Sequence, residues 1–153
     1  MSVLNEIAKV LRKTDNLNCL KRAETLEADG SQTGILNLRN LGLNPTDAVA
    51  IADILKQDKI NNSDFIQSIS FSYNNLIADG GAIAIIESLP LSISEIGLVD
   101  CGIGDEGGIE ILNWMRKSTN LQMICAEQNN FSDTQRKEFM LFKNHYPRIM
   151  VDV

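Results

Sequence analysis

The chain has 153 residues, 44% of them hydrophobic, which suits one domain with a continuous core and leaves too little for two of ordinary size. Its net charge of −6 is the wrong sign for a protein that draws affinity from neutralising phosphates, so nucleic acid is not expected as a partner. Three cysteines at wide spacing, Cys19, Cys101 and Cys125, fit neither a disulfide scaffold nor a paired-cysteine zinc site, and reduced thiols in a cytoplasm are the simplest reading.

The N-terminus, MSVLNEIAKVLRKTD, carries Glu6, Lys9, Arg12 and Lys13 where a secretory signal needs an unbroken apolar core, and no run approaches a membrane span. A soluble chain without membrane attachment is expected. Leu4, Ile7, Ala8 and Leu11 keep helical spacing, as do Leu17, Leu20, Ala23 and Leu26 in a second run that ends at Gly30. Residues 1–32 are therefore assigned as a helical N-terminal cap, covering the open face at the start of a repeating array.

From residue 33 to the end the chain repeats. Leu36, Leu38, Leu41 and Leu43 align with Ile69, Phe71, Asn74 and Leu76, then with Ile96, Leu98, Cys101 and Ile103, then with Ile124, Ala126, Asn129 and Phe131. Successive starts are 33, 27 and 28 residues apart, and a further step of 27 reaches Val151, the strand of a fifth, uncompleted unit. The long first spacing is ascribed to a polar loop at Lys56–Ser63, KQDKINNS.

Each strand motif leads into an apolar helical run with its own start signal. Asn44-Pro45-Thr46-Asp47 offers an N-cap followed by proline, and Ser132-Asp133-Thr134-Gln135 has the capping-box pattern. Asp79-Gly80-Gly81 and Asp105-Glu106-Gly107-Gly108 predict tight strand-to-helix turns, with the acids capping their own helices. Four strand-turn-helix units imply an α/β array with a parallel sheet.

This motif, with a helix in each unit and a period near 28 residues, resembles the leucine-rich repeat family, ribonuclease-inhibitor-like subtype, over residues 33–153. The resemblance implies a right-handed solenoid forming a short horseshoe arc, four repeats plus a terminal strand, with parallel strands on the concave face and helices on the convex face. It also implies that Asn74, Cys101 and Asn129 turn inward to satisfy loop backbone, a position from which Leu41 departs.

Strand alternation turns Ile69 and Phe71 inward and leaves the intervening residues outward. The expected outward positions are Asn37 and Arg39, Ser70 and Ser72, Gly97 and Val99, Cys125 and Glu127, and Asp152, flanked by Tyr73, Glu95, Asp100, Met123 and Gln128. Arg39, Ser72, Tyr73, Glu95, Val99, Asp100, Met123, Cys125, Glu127 and Asp152 form the candidate protein-binding set, with Tyr73 and the Val99, Met123, Cys125 patch as anchors and the acids selecting a basic protein partner.

Catalytic equipment is missing from this reading. The only histidine, His145, sits near a helix end, Cys125 has no basic neighbour in sequence, and the glycine pairs match no phosphate-loop spacing. No catalytic, cofactor or metal residue is assigned. The expectation is a non-enzymatic protein-protein interaction module in the cytoplasm. The alternative is an assembly protein that forms a homodimer through the C-terminal edge strand, and an enzyme built on Cys125 or His145 stands third.

Overall fold

The central residue of every strand is the apolar residue on which the repeat aligns, and those residues are neighbours in space. Leu36 pairs with Ile69, Ile69 with Ile96, Ile96 with Ile124, and Ile124 with Val151, all in parallel register. The spacings of 33, 27, 28 and 27 residues are thus the sheet register itself.

The structure, a computed structural model, describes residues 2–29, 33–60 and 65–153. Two helices, α1 (Val3–Arg12) and α2 (Leu17–Asp29), precede the alternating elements β1 (Ile35–Asn37), α3 (Pro45–Ile60), β2 (Ser68–Ser70), α4 (Ala78–Ser88), β3 (Glu95–Gly97), α5 (Asp105–Lys117), β4 (Met123–Cys125), α6 (Asp133–His145) and β5 (Met150–Asp152). The strands form one parallel sheet in chain order, with β1 and β5 at its two edges, so the sheet does not close into a barrel. No helix among the described residues is long and apolar enough to cross a membrane.

One face of the sheet is buried. Leu36, Leu38, Ile69, Phe71, Ile96, Leu98, Ile124, Ala126 and Val151 pack into a single core cluster that also takes in Leu4, Ile7 and Leu11 of α1. Helices α3 to α6 pack on one another in chain order, and α1 lies against α2 and α3. A strand of three residues cannot hold an isolated sheet together, so stacking of successive units supplies the burial that each one lacks alone.

Polar groups in the loops after the strands are satisfied across units. Asn74, 1% exposed, accepts from the N–H groups of Leu41 and Leu43 through Oδ1 (2.9 and 3.1 Å) and donates from Nδ2 to the carbonyls of Leu38 and Phe71. Asn129 repeats the arrangement, accepting from Cys101 and Ile103 and donating to Leu98 and Ala126. At Leu41, where no polar side chain is present, Asn16 and Cys19 next to and within α2 donate to the Leu41 carbonyl at 3.1 and 3.3 Å. Cys101 donates its thiol to the Phe71 carbonyl at 3.3 Å, and burial first of all pushes that thiol up to about 12.

Helix starts are shared in the same way. Asn44 and Asp47 cap each other reciprocally at α3. Asp79 of α4, in contrast to the expected role at its own helix, accepts from Gly104 and Gly107 at the start of α5 (2.7 and 2.9 Å). Asp105 of α5 accepts from the Ser132 N–H ahead of α6 at 2.8 Å, and the bonds from Ser132 hold its carboxyl below the usual carboxylate range. A side chain at Gly107 would place Cβ 2.5 Å from Ile103 Cγ2 and 2.8 Å from Asp79 Oδ1, so the cross-unit cap requires glycine there.

Four sequence expectations are corrected. The polar stretch from Lys56 is not a loop at its start: α3 continues to Ile60, and the remainder of that expected loop lies outside the described residues, as does Gly30. In the second unit Leu76 is 58% exposed and Ile77 fills the core instead, because that loop is one residue longer than its counterparts. The second helix buries Cys19, Ala23 and Leu26 while Leu17 is exposed. Ser132 does cap α6 by accepting from the Gln135 N–H, but its own N–H goes to Asp105, so the capping box is half made.

Replacing Asn129 by leucine strands the N–H groups of Cys101 and Ile103 in the core, and each such loss costs about 1–3 kcal/mol. Urea unfolding of Asn129→Leu is expected to give a midpoint lowered by the equivalent of about 3 kcal/mol. The Cys101 thiol, protonated in the fold well above its unfolded range, adds stability that is complete below about pH 9 and is lost as pH rises toward about 12, at about 1.4 kcal/mol per unit. Unfolding free energy measured from about pH 8 to about pH 11 should therefore fall, and Cys101→Ala should flatten the slope.

Candidate binding face

The face of the sheet turned away from the core is built from residues that alternate with the buried ones. Its first row is Ile35, Ser68, Glu95, Met123 and Met150, and its second is Asn37, Ser70, Gly97, Cys125 and Asp152. Beyond the strands the parallel hydrogen bonding continues through Asn40 N–H to the Ser72 carbonyl, Tyr73 N–H to Val99 and Asp100 N–H to Glu127. A third row, Arg39, Val99 and Glu127, is carried on these extensions.

The backbone then turns through the left-handed region at the same place in each unit, at Asn40, Tyr73, Asp100 and Gln128, with φ between 49° and 65°. Asparagine and aspartate adopt that conformation at little cost, whereas a bulky aromatic does not. Tyr73 nevertheless occupies it with φ 65°, is 40% exposed, and has the Arg39 guanidinium 5.2 Å from its ring centroid. The two form an exposed cation–aromatic pair on the β1–β2 side of the sheet.

From the middle strand, β3, onward the face is acidic. Ser68 donates to Glu95 across the strands at 3.0 Å. Cys125 Sγ and carboxylate oxygens of Glu127 and Asp152 lie within 4.8 Å of one another, a set of three donors that could hold a metal ion and that the sequence did not suggest. Desolvation first, then the charges of Glu127, Asp152 and Glu95, raise the Cys125 thiol, which opposes thiolate formation and hence nucleophilic reactivity. Glu95, Asp100, Glu127 and Asp152 belong to none of the ion pairs Lys9–Glu6, Arg12–Glu27 and Arg116–Glu138.

Of the residues singled out from sequence, Arg39, Ser72, Glu95, Val99, Met123, Cys125 and Glu127 line one depression of about 290 Å³ on this face. Tyr73 flanks it beside Arg39, Asp152 stands next to Cys125, and Asp100 sits on the third turn. Ser72 is corrected in one respect: it lies on this face, its Oγ close over Gly97, but it is only 3% exposed and accepts from the Val99 N–H at 3.1 Å, so it is covered by its neighbours and is not an exposed contact. Ile35 and Met150, 58% and 53% exposed, were missed, although the residue before each aligned start faces the same way as the residue after it.

His145 is exposed at the end of α6, edge-on to Tyr146 with ring centroids 4.7 Å apart, and makes no pair with a cysteine among the described residues. Trp114 of α5 is 7% exposed. The chain matches no protein-family model and no curated protein.

With Cys19 and Cys101 buried and Cys125 half-buried, iodoacetamide on the folded chain at about pH 8 is expected to modify Cys125 alone, more slowly than free cysteine. Asp152→Asn and Glu127→Gln each remove a charge that raises the thiol, so both should speed the reaction. Equal rates in all three proteins would show that the carboxylates do not act on the sulfur.

Proposed function

We propose that the chain is a non-enzymatic protein-protein interaction module, a right-handed leucine-rich-repeat solenoid of the ribonuclease-inhibitor-like kind. In this reading the strands line the concave side of a short arc, the helices form its convex side, and α1 and α2 cap the first repeat. The supporting features are the sequential parallel sheet, the near-constant spacing of the units, and the buried amides of Asn74 and Asn129 in equivalent loops.

One observation carries the functional half: a sheet face opposite the helix-packed core holds an exposed, conformationally costly Tyr73 on its β2 side and, from β3 to β5, four acids outside the ion pairs among the described residues. Strained residues persist where something besides folding requires them, and tyrosine and arginine are the side chains most often found at the energetic centre of protein interfaces. The proposed contact residues are Arg39, Tyr73, Glu95, Val99, Asp100, Met123, Cys125, Glu127 and Asp152. Three unpaired thiols suit a reducing compartment, and on that ground the cytoplasm is the proposed location.

Assembly through β5 is the second reading, since its outer edge pairs with no strand among the described residues. Lys143, however, donates to the Val151 carbonyl at 3.2 Å, and an edge lysine of this kind discourages pairing with another strand. Light scattering over a range of concentrations should give a monomer throughout.

Affinity capture with the full chain as bait, compared with the Tyr73→Ala, Glu127→Lys double variant, tests the main reading. Specific partners retained by the native face and lost from the variant are expected. Identical capture by both, with both folded, would contradict a role for this face.

A further inference from the structure

The middle of the open face lacks a side chain where every neighbour in its row has one. That position is Gly97, flanked by Ser70 on β2 and Cys125 on β4. A Cβ there would lie 2.6 Å from Ser70 Oγ and 3.0 Å from Ser72 Oγ, so the serines already lean over β3 and any larger residue would displace them. The depression of about 290 Å³ around it is lined by the carboxylates Glu95 and Glu127, the apolar Val99 and Met123, and Arg39.

The balance of charge is acidic: Arg39, held over Tyr73, is the one cation among the lining residues, against Glu95 and Glu127 with Asp152 beside Cys125. Glu127, Asp152 and Glu95 all act on the Cys125 thiol at the edge of this depression. Glu127 Oε2 is shielded from solvent and has no hydrogen-bond donor among the described residues. Glu95 has one oxygen held by Ser68 and takes no part in the ion pairs among the described residues. A carboxylate oxygen removed from water without a donor costs free energy that an incoming cationic donor would recover.

Resting on the reading of this face as a protein-binding surface, we infer that the Gly97 depression receives the guanidinium of an arginine carried by the partner, with Glu127 and Glu95 as its acceptors. Guanidinium suits the site better than ammonium. It is flat and weakly hydrated, it can rest against Val99 and Met123, and its fork of donors can serve carboxylates on two sides at once. The Tyr73 and Arg39 pair, which borders the same depression, then contacts an adjoining, uncharged part of the same partner.

The test is titration of the full-length chain, labelled with nitrogen-15, with acetyl-Gly-Gly-Arg-Gly-Gly-amide and with its lysine and citrulline counterparts. Saturable shifts centred on Gly97, Val99, Cys125 and Glu127 are expected with the arginine peptide, at an affinity at least about fivefold above the lysine peptide, and none with citrulline. Glu127→Gln should weaken binding roughly tenfold, while Glu106→Gln on α5 should leave it unchanged. Equal response to arginine and lysine, or shifts spread over the acids of α5, would overturn the assignment. So would zinc chloride moving Cys125, Glu127 and Asp152 at micromolar concentration while the arginine peptide stays silent, which would mark the cluster as a metal site. Capture of partners that is lost in Tyr73→Ala but kept in Glu127→Gln would preserve the binding face and refute the arginine pocket; capture unaffected by either variant would refute both.

Discussion

A buried asparagine amide bonded to two successive loops is the interaction on which this architecture depends. Asn74 and Asn129 each use both ends of the side chain, accepting from two N–H groups of the preceding unit and donating to carbonyls on either side. Buried backbone groups in a turn need partners, and a turn this tight has no regular ladder to provide them. With those groups satisfied, strands of only three residues can stay in register and the apolar faces can stack. The Asp79 and Asp105 contacts do the same at the helix starts, tying each unit to the next through charge-assisted bonds.

Much of this was legible because the repeat constrains itself. Leu36, Ile69, Ile96, Ile124 and Val151 were aligned by spacing alone, and the same residues are cross-strand partners. Failures occurred where the local pattern was degenerate. Leu76 and Ile77 are adjacent and both apolar, so a one-residue lengthening of the loop could not be seen. Lys56, Gln57 and Lys59 look like loop by polarity, yet they are good helix formers and α3 simply continues through them. The reach of Asp79 and Asp105 into the next unit is a three-dimensional fact with no trace in the order of residues.

The open face was legible in outline and misread in detail for one physical reason. Alternation tells which face a side chain takes, not whether its neighbours cover it. Ser72 stands on the face where alternation puts it, as do Glu95, Met123 and Cys125, but its short side chain bonds to the Val99 N–H and is covered, which no alternation rule reveals. The convergence of Glu95, Glu127 and Asp152 on Cys125 was likewise invisible, since it joins three strands.

The central claim is that the amides of Asn74 and Asn129 secure loop N–H groups that the backbone bonds running on from the strands leave without partners. Amide hydrogen exchange at Leu41, Leu43, Cys101 and Ile103 tests it most directly. Protection as strong as at Ile69 and Ile124 in the strand centres, lost at Leu41 and Leu43 alone in Asn74→Ala, is the predicted result. Rapid exchange of those four amides in the native chain while the strands stay protected would contradict it.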